Sequence, residues 1–182
     1  DGETSTSDSV MLLASGRSPV FFEGVRYVSD VEESKQLNEV RSGVIIAASG
    51  NGQAEGNQPN YPAAYPNVLA VSATTSTDGV TGFSTTGEFV DIAAPGVGLW
   101  STIWTPDEGD TYGVQNGTSA SCPHVAGAAG LALSLRPDLS ADQLAEILEA
   151  AADDQGAPGK DPEYGYGRLN VLRVVQLAAD PN

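Results

Sequence analysis

Asn116-Gly117-Thr118-Ser119-Ala120-Ser121-Cys122-Pro123-His124-Val125-Ala126-Gly127 joins a Gly-Thr-Ser turn to a run of small and apolar residues. The run continues to Leu135 and predicts a helix from Ala120 to Leu135. A helix that is apolar all round is expected to be fully buried. Pro123 is expected in its first turn, where a missing N–H costs little, and Pro137 follows its end. Ser119 stands at the helix start. Free backbone N–H groups and the positive end of the helix dipole favour a developing negative charge there. Ser119 is therefore the candidate nucleophile.

Working outward, Val44-Ile45-Ile46-Ala47-Ala48 is β-branched and uninterrupted, the pattern of a strand buried on both faces. Val10-Met11-Leu12-Leu13-Ala14 predicts an earlier strand. Between them, residues 29–41 carry a helical pattern opened by a Ser29/Glu32 capping box and stopped by Gly43. Strand–helix–strand order predicts a parallel sheet with helical crossovers, an α/β class. Val68-Leu69-Ala70-Val71-Ser72-Ala73 predicts another buried strand. Phe83-Ser84 and Val90-Asp91-Ile92-Ala93-Ala94-Pro95-Gly96 read as a short strand and turn. Ser140 and Gln143 form a capping box before an amphipathic helix over 141–152, with Asp153-Asp154 as its solvated end. A final helix follows Gly165-Tyr166-Gly167-Arg168-Leu169-Asn170 and reaches about Ala178.

Composition limits the function. The chain has 182 residues, enough for one domain with a real core. Aspartate plus glutamate number 24 against 8 lysine plus arginine, a net charge of −16. That balance argues against nucleic-acid binding, which needs a basic face. It reads as a solvated acidic surface, with adaptation to high salt as the sharper alternative. No apolar run approaches the roughly 20 residues of a membrane helix. The polar start Asp1-Gly2-Glu3-Thr4-Ser5 predicts no signal peptide, and the single Cys122 excludes an internal disulfide.

Residues 49–60 form a polar, Gly/Asn-rich loop directly after a buried strand. Ligands of open α/β sheets bind beyond the carboxyl ends of strands, so this loop is a candidate site. Asn51 offers a side-chain amide that can donate to an oxyanion, and Gly50 permits close backbone approach. A nucleophile with oxyanion donors points to acyl transfer, the attack on an amide or ester carbonyl.

These residues together resemble the subtilisin-like serine proteases, the subtilases. Gly117-Thr118-Ser119 followed by Pro123-His124-Val125-Ala126-Gly127 resembles the family's nucleophile motif, and Ala48-Ser49-Gly50-Asn51 resembles its oxyanion segment. Tyr61-Pro62-Ala63-Ala64-Tyr65-Pro66-Asn67-Val68, Phe83-Ser84, Asp91-Ile92-Ala93-Ala94-Pro95-Gly96 and Gly165-Tyr166-Gly167-Arg168-Leu169-Asn170 match further landmarks in order. The resemblance runs from near Val10 to about Ala179. It implies that residues 1–182 are the C-terminal two-thirds of one catalytic domain of three layers, with a mainly parallel sheet. Residues 1–9 would form a flexible N-terminal segment.

By that resemblance Ser119 is the nucleophile and Asn51 the oxyanion donor. Leu12, Leu13, Ala14 and Ser15 would be the edge that pairs with substrate backbone. Ala47, Ala48, Ser49, Gly50, Asn60 and Thr118 would border the substrate. No cofactor is implied for the chemistry. Backbone carbonyls of Ala63, Tyr65 and Val68, with the Asp91 carboxylate, resemble a structural site for Ca²⁺ or Na⁺. A peptide or protein substrate and a secreted, extracellular location are implied as well.

The family's aspartate and histidine motifs are absent from these residues. His124 follows Ser119 by five positions on one helix, which separates the two by about 140°. It therefore reads as a helix residue and not as the base. An N-terminal protease chain is expected to supply the aspartate, the histidine and the remaining strands. Cys122, close behind Ser119, reads as a buried inert thiol. Asn116-Gly117-Thr118 fits a glycosylation sequon, but it leads into the site turn and is read as part of that turn. The alternative to a protease is a non-catalytic module of the same fold used for binding or assembly. Retention of both Ser119 and Asn51 favours the protease.

Overall fold

A computed structural model describes residues 10–14, 43–107 and 109–180. The helix expected over 29–41, the segment 1–9 and Ser15 lie outside the described residues. Four strands form one sheet in the order β1 (Val10–Ala14), β2 (Gly43–Ala48), β3 (Val68–Thr74), β4 (Val90–Pro95). β2–β3 and β3–β4 are parallel, as the buried apolar runs predict. β1 differs from the expectation: it pairs antiparallel with β2, Leu12 opposite Ile45. An unbroken apolar run has no alternation to fix its direction, and either direction satisfies the backbone groups of the β2 edge.

Strand alternation divides the core in two. Val44, Ile46 and Ala48 of β2, with Leu69, Val71, Ile92 and Ala94, face three helices. These are α1 (Thr118–Leu135), α2 (Ala141–Ala151) and α3 (Val171–Ala179). Ile45, Ala47, Val68 and Ala70 face the other way, against Ala63, Tyr65 and Phe89. Between β4 and α1 lies a hairpin that the sequence reading did not anticipate, β5 (Leu99–Thr105) with β6 (Gly109–Gln115).

The helices start where their caps direct. Ser140 and Gln143 form the expected capping box on α2, and the Asn170 side chain accepts the N–H of Arg173 at the start of α3. α1 departs from expectation twice. It begins at Thr118, so Pro123 lies inside the helix and not in its first turn. It is also buried on one side only. Ser121, Cys122, Val125, Ala126, Ala128, Ala129 and Ala132 face the sheet, while Pro123, His124, Gly127 and Leu131 are exposed. Small residues on both sides of a helix do not reveal which side meets solvent.

Asp153 is likewise no solvated helix end. Its carboxylate accepts from Arg168 at 2.8 Å, from Asn170 at 3.1 Å and from Arg173 at 3.1 Å. Those hydrogen bonds, that of Arg168 foremost, hold its carboxyl below the usual aspartate range.

Two outcomes test this packing. Leu148 is wholly buried under α1 and the sheet, so Leu148→Ala destabilises the folded protein by about 2–5 kcal/mol in chemical denaturation. Cys122 is buried against β2, its Sγ 3.6 Å from the Ile46 carbonyl. Desolvation pushes its thiol up to about 12, so at neutral pH the native thiol stays protonated and resists iodoacetamide. Alkylation appears only once the protein unfolds.

Candidate active site

The site forms where the carboxyl end of β2 meets the N-terminus of α1. Gly117 caps the helix with φ +144°, a value that favours glycine. Its carbonyl accepts the N–H groups of Ala120 at 3.0 Å and Ser121 at 3.3 Å. The N–H of Thr118 donates to Asn51 Oδ1 at 3.0 Å. That leaves the N–H of Ser119, second residue of the helix, with no partner among the described residues. It points an unused donor and the helix dipole at the space beside its own hydroxyl.

Asn51 is oriented from the same side. Its Oδ1 accepts both the N–H and the Oγ1 hydroxyl of Thr118, each at 3.0 Å. With the oxygen so held, the amide nitrogen Nδ2 is turned outward as a free donor. A methyl group placed on Gly117 would lie 3.1 Å from Ser119 Oγ and 3.4 Å from Asn51 Nδ2. Hydroxyl and amide therefore border one space. Asn51 is exposed and Ser119 half-buried, so that space is open to a substrate.

The loop carrying Asn51 is braced by Gly50 and Thr118, which the resemblance sets beside the substrate, and by Thr85, which it leaves unassigned. Gly50 has φ +106° and donates its N–H to Thr118 Oγ1 at 3.2 Å. Thr85 holds both sides of Asn51: its N–H donates to the Gly50 carbonyl at 2.8 Å, and its Oγ1 accepts the N–H of Gly52 at 3.0 Å. The hydroxyl run Ser84-Thr85-Thr86 was the available signal. Thr118 is thus a brace for Asn51, with its side chain buried.

The expected substrate residues divide. Asn60 packs on Gly50 and is half-buried. Ala47, Ala48 and Ser49 do not line an open pocket with their side chains. Alternation sends Ala47 and Ala48 into opposite cores, and the Ser49 hydroxyl is buried, 3.5 Å from Ser84 Oγ. Only their backbone can border a ligand. Leu12, Leu13 and Ala14 lie in β1, the outermost strand of the described sheet. His124 does not approach the nucleophile; its Nδ1 lies 2.9 Å from the Ala120 carbonyl on the exposed side of α1.

Among the residues implied for a cation, Asp91 has no carboxylate oxygen left open. Asp91 Oδ2 accepts the N–H of Ala70 and Oδ1 accepts from Lys160, both at 2.8 Å. The Tyr65 carbonyl is engaged by the Val68 N–H at 3.4 Å. Among the described residues no group of three or more His, Cys, Asp or Glu side chains is placed to hold a metal. No described helix is long and apolar enough to cross a membrane.

The Subtilase family matches residues 15–167. Over 140 residues the chain is 41% identical to Subtilisin E of Bacillus subtilis (strain 168), covering 75% of this chain and 35% of the relative. Thermitase of Thermoactinomyces vulgaris is 40% identical over 136 residues, 75% of this chain and 45% of its own. The Halolysin-like extracellular serine protease Nep of Natrialba magadii is 41% identical over 138 residues, 75% of this chain and 24% of its own. The chain spans less than half the length of each of these relatives. A family match across most of the sequence, on a partial parallel sheet that delivers a serine to a helix N-terminus beside an asparagine amide, places this chain in the subtilase family of serine proteases.

Proposed function

We propose that the chain carries the nucleophile and the oxyanion-binding half of a serine endopeptidase site. The observation that supports this most directly is the pairing of Ser119 Oγ and Asn51 Nδ2 around one open space, with the Ser119 N–H unused beside them. Ser119 Oγ forms a bond to the carbonyl carbon of a peptide, and its proton passes to a histidine. The carbonyl electron pair moves onto oxygen, where the Ser119 N–H and Asn51 Nδ2 donate to it. Collapse of that intermediate breaks the C–N bond, and the amine departs with the proton from the histidine. Water then repeats the sequence on the acyl-enzyme and frees Ser119. None of these steps requires a metal or cofactor.

The histidine and its aspartate come from an N-terminal polypeptide outside these 182 residues. His124, the sole histidine of the sequence, is committed to its own helix. The substrate is a protein or peptide in extended form, lying along the β1 edge. Its side chain before the scissile bond rests near Asn60 and the backbone of 47–50. A secreted setting accords with the acidic surface and with an extracellular relative.

A fluorophosphonate probe tests the reading. Protein isolated with every co-purifying chain is labelled at Ser119, and Ser119→Ala abolishes the label. A folded sample that never labels, with all those chains present, favours the binding module and overturns the protease.

Two substitutions grade the oxyanion site by kinetics. Asn51→Ala lowers kcat by about 10²–10³-fold, the loss known for this donor in subtilisin, a relative of this chain and the source of that magnitude. Thr118→Val keeps the N–H to Asn51 but removes the hydroxyl from Asn51 and Gly50. It lowers kcat by about tenfold with KM nearly unchanged, because the loosened amide acts on the transition state more than on bound substrate.

A further inference from the structure

Asp91 is set apart by an irregularity in the sheet. Val90 pairs with Ala70 and Ile92 pairs with Val71, so Asp91 is the extra residue of a β-bulge with no cross-strand partner. Its side chain replaces the missing ladder bond, Oδ2 accepting the Ala70 N–H at 2.8 Å. Its main-chain carbonyl accepts the N–H of Tyr166 at 2.8 Å. The other carboxylate oxygen receives Lys160 Nζ at 2.8 Å, and that ammonium lies 5.3 Å from the centroid of the Tyr166 ring. The two side chains keep 17% and 31% of their exposure, Asp91 the less.

A calcium ion asks for about six to eight oxygens at about 2.3–2.6 Å, with open carboxylates among them. Asp91 has none to offer: one oxygen is taken by an amide and the other by an ammonium. Glu149 belongs to the same neighbourhood. Its carboxyl is raised by burial first and by the Asp91 charge second, and Lys160 counters both. Burial works against the charge on Lys160, but the hydrogen bond and charge of Asp91 outweigh it and hold the ammonium above its ordinary value.

We propose that Lys160 is a tethered cation: its ammonium occupies the place at Asp91 that a bound metal ion would need, and it fastens the loop before Gly165 to β3 and β4 without metal. The covalent tether makes this encounter intramolecular. Ions in solution then compete against an effective concentration on the order of millimolar. The ring of Tyr166, its centroid 5.3 Å from the ammonium, adds a second contact.

Thermal melting with calcium and with chelator, at matched ionic strength, tests the proposal on the protein as isolated. The unaltered protein is expected to melt at the same temperature in both. Lys160→Met is expected to lower Tm by about 2–4 °C in chelator, the shift for losing one partly exposed ion pair in a chain of this size. Calcium then restores it, and the restoration disappears in Lys160→Met/Asp91→Asn. Lys160→Arg, which keeps the charge, retains most of the original Tm in chelator. A calcium-dependent rise in the unaltered protein that Asp91→Asn abolishes would overturn the proposal, and it can be read even if Lys160→Met fails to fold. A folded Lys160→Met that melts like the parent, or that is destabilised but indifferent to calcium, would overturn it equally.

Discussion

Thr118 is the joint on which this site depends. Its N–H and hydroxyl both donate to Asn51 Oδ1, and the same hydroxyl accepts the N–H of Gly50. Three contacts on one residue therefore lock the loop after β2 to the first turn of α1. Each hydrogen bond contributes only about 0.5–1.5 kcal/mol net. Their effect is directional: an amide whose oxygen is twice occupied has one orientation left, and that orientation presents its nitrogen beside Ser119. A donor placed in advance need not reorganise when charge develops, which is the main source of its catalytic worth.

Backbone contacts supply the rest of the precision. The Gly96 carbonyl, just past the end of β4, accepts the N–H of Gly117 at 2.8 Å. A Cβ on Gly96 would collide with Ser121 Oγ, would sit 2.6 Å from Ala73 Cβ and would crowd the Gly117 carbonyl at 3.0 Å. β4 therefore approaches the nucleophile turn closely only because this residue has no side chain. Ser84 continues the support on the other side: its Oγ accepts the Ala73 N–H at 3.1 Å. The central strands, the loop and the helix start are thus coupled through short polar contacts beneath a site whose upper face is open.

The elements carried by composition were legible in the sequence, and those carried by direction or context were not. β2 and β3 announce themselves by uninterrupted apolar runs, α2 by its Ser140/Gln143 capping box, and α3 by its place after residues 165–170. The antiparallel sense of β1 left no mark, since Val10–Ala14 reads equally apolar in both directions. The exposed side of α1 was hidden for a similar reason, with Gly127 and Leu131 as apolar as the buried Ala128 and Ala132. At the site, Ser119 and Asn51 stood out because nucleophile and amide are recognisable types in recognisable motifs. Thr118 and Thr85 act through geometry that spans 67 and 33 positions of sequence, and a hydroxyl residue does not advertise a partner so far away.

The distribution of positive charge follows one logic. Arg136, Lys160, Arg168 and Arg173 are the lysine and arginine residues among those described, and each is paired with an aspartate. Three of the four serve the C-terminal segment. Lys160 ties it to Asp91, Arg168 bridges Asp78 and Asp153, and Arg173 returns to Asp153 from α3. A chain of net charge −16 meets its own repulsion most strongly where acidic residues are drawn together. Asp78 and Asp91 lie far in sequence from Asp153, yet all three pair with cations of the segment 160–173. Cations placed there neutralise the carboxylates that the fold forces inward, while the outward ones are left to solvent and salt. Dissolved ions screen exposed charges more than part-buried ones, so rising salt relaxes the acidic surface more than it weakens the pair of Lys160 with Asp91, the least exposed of these carboxylates.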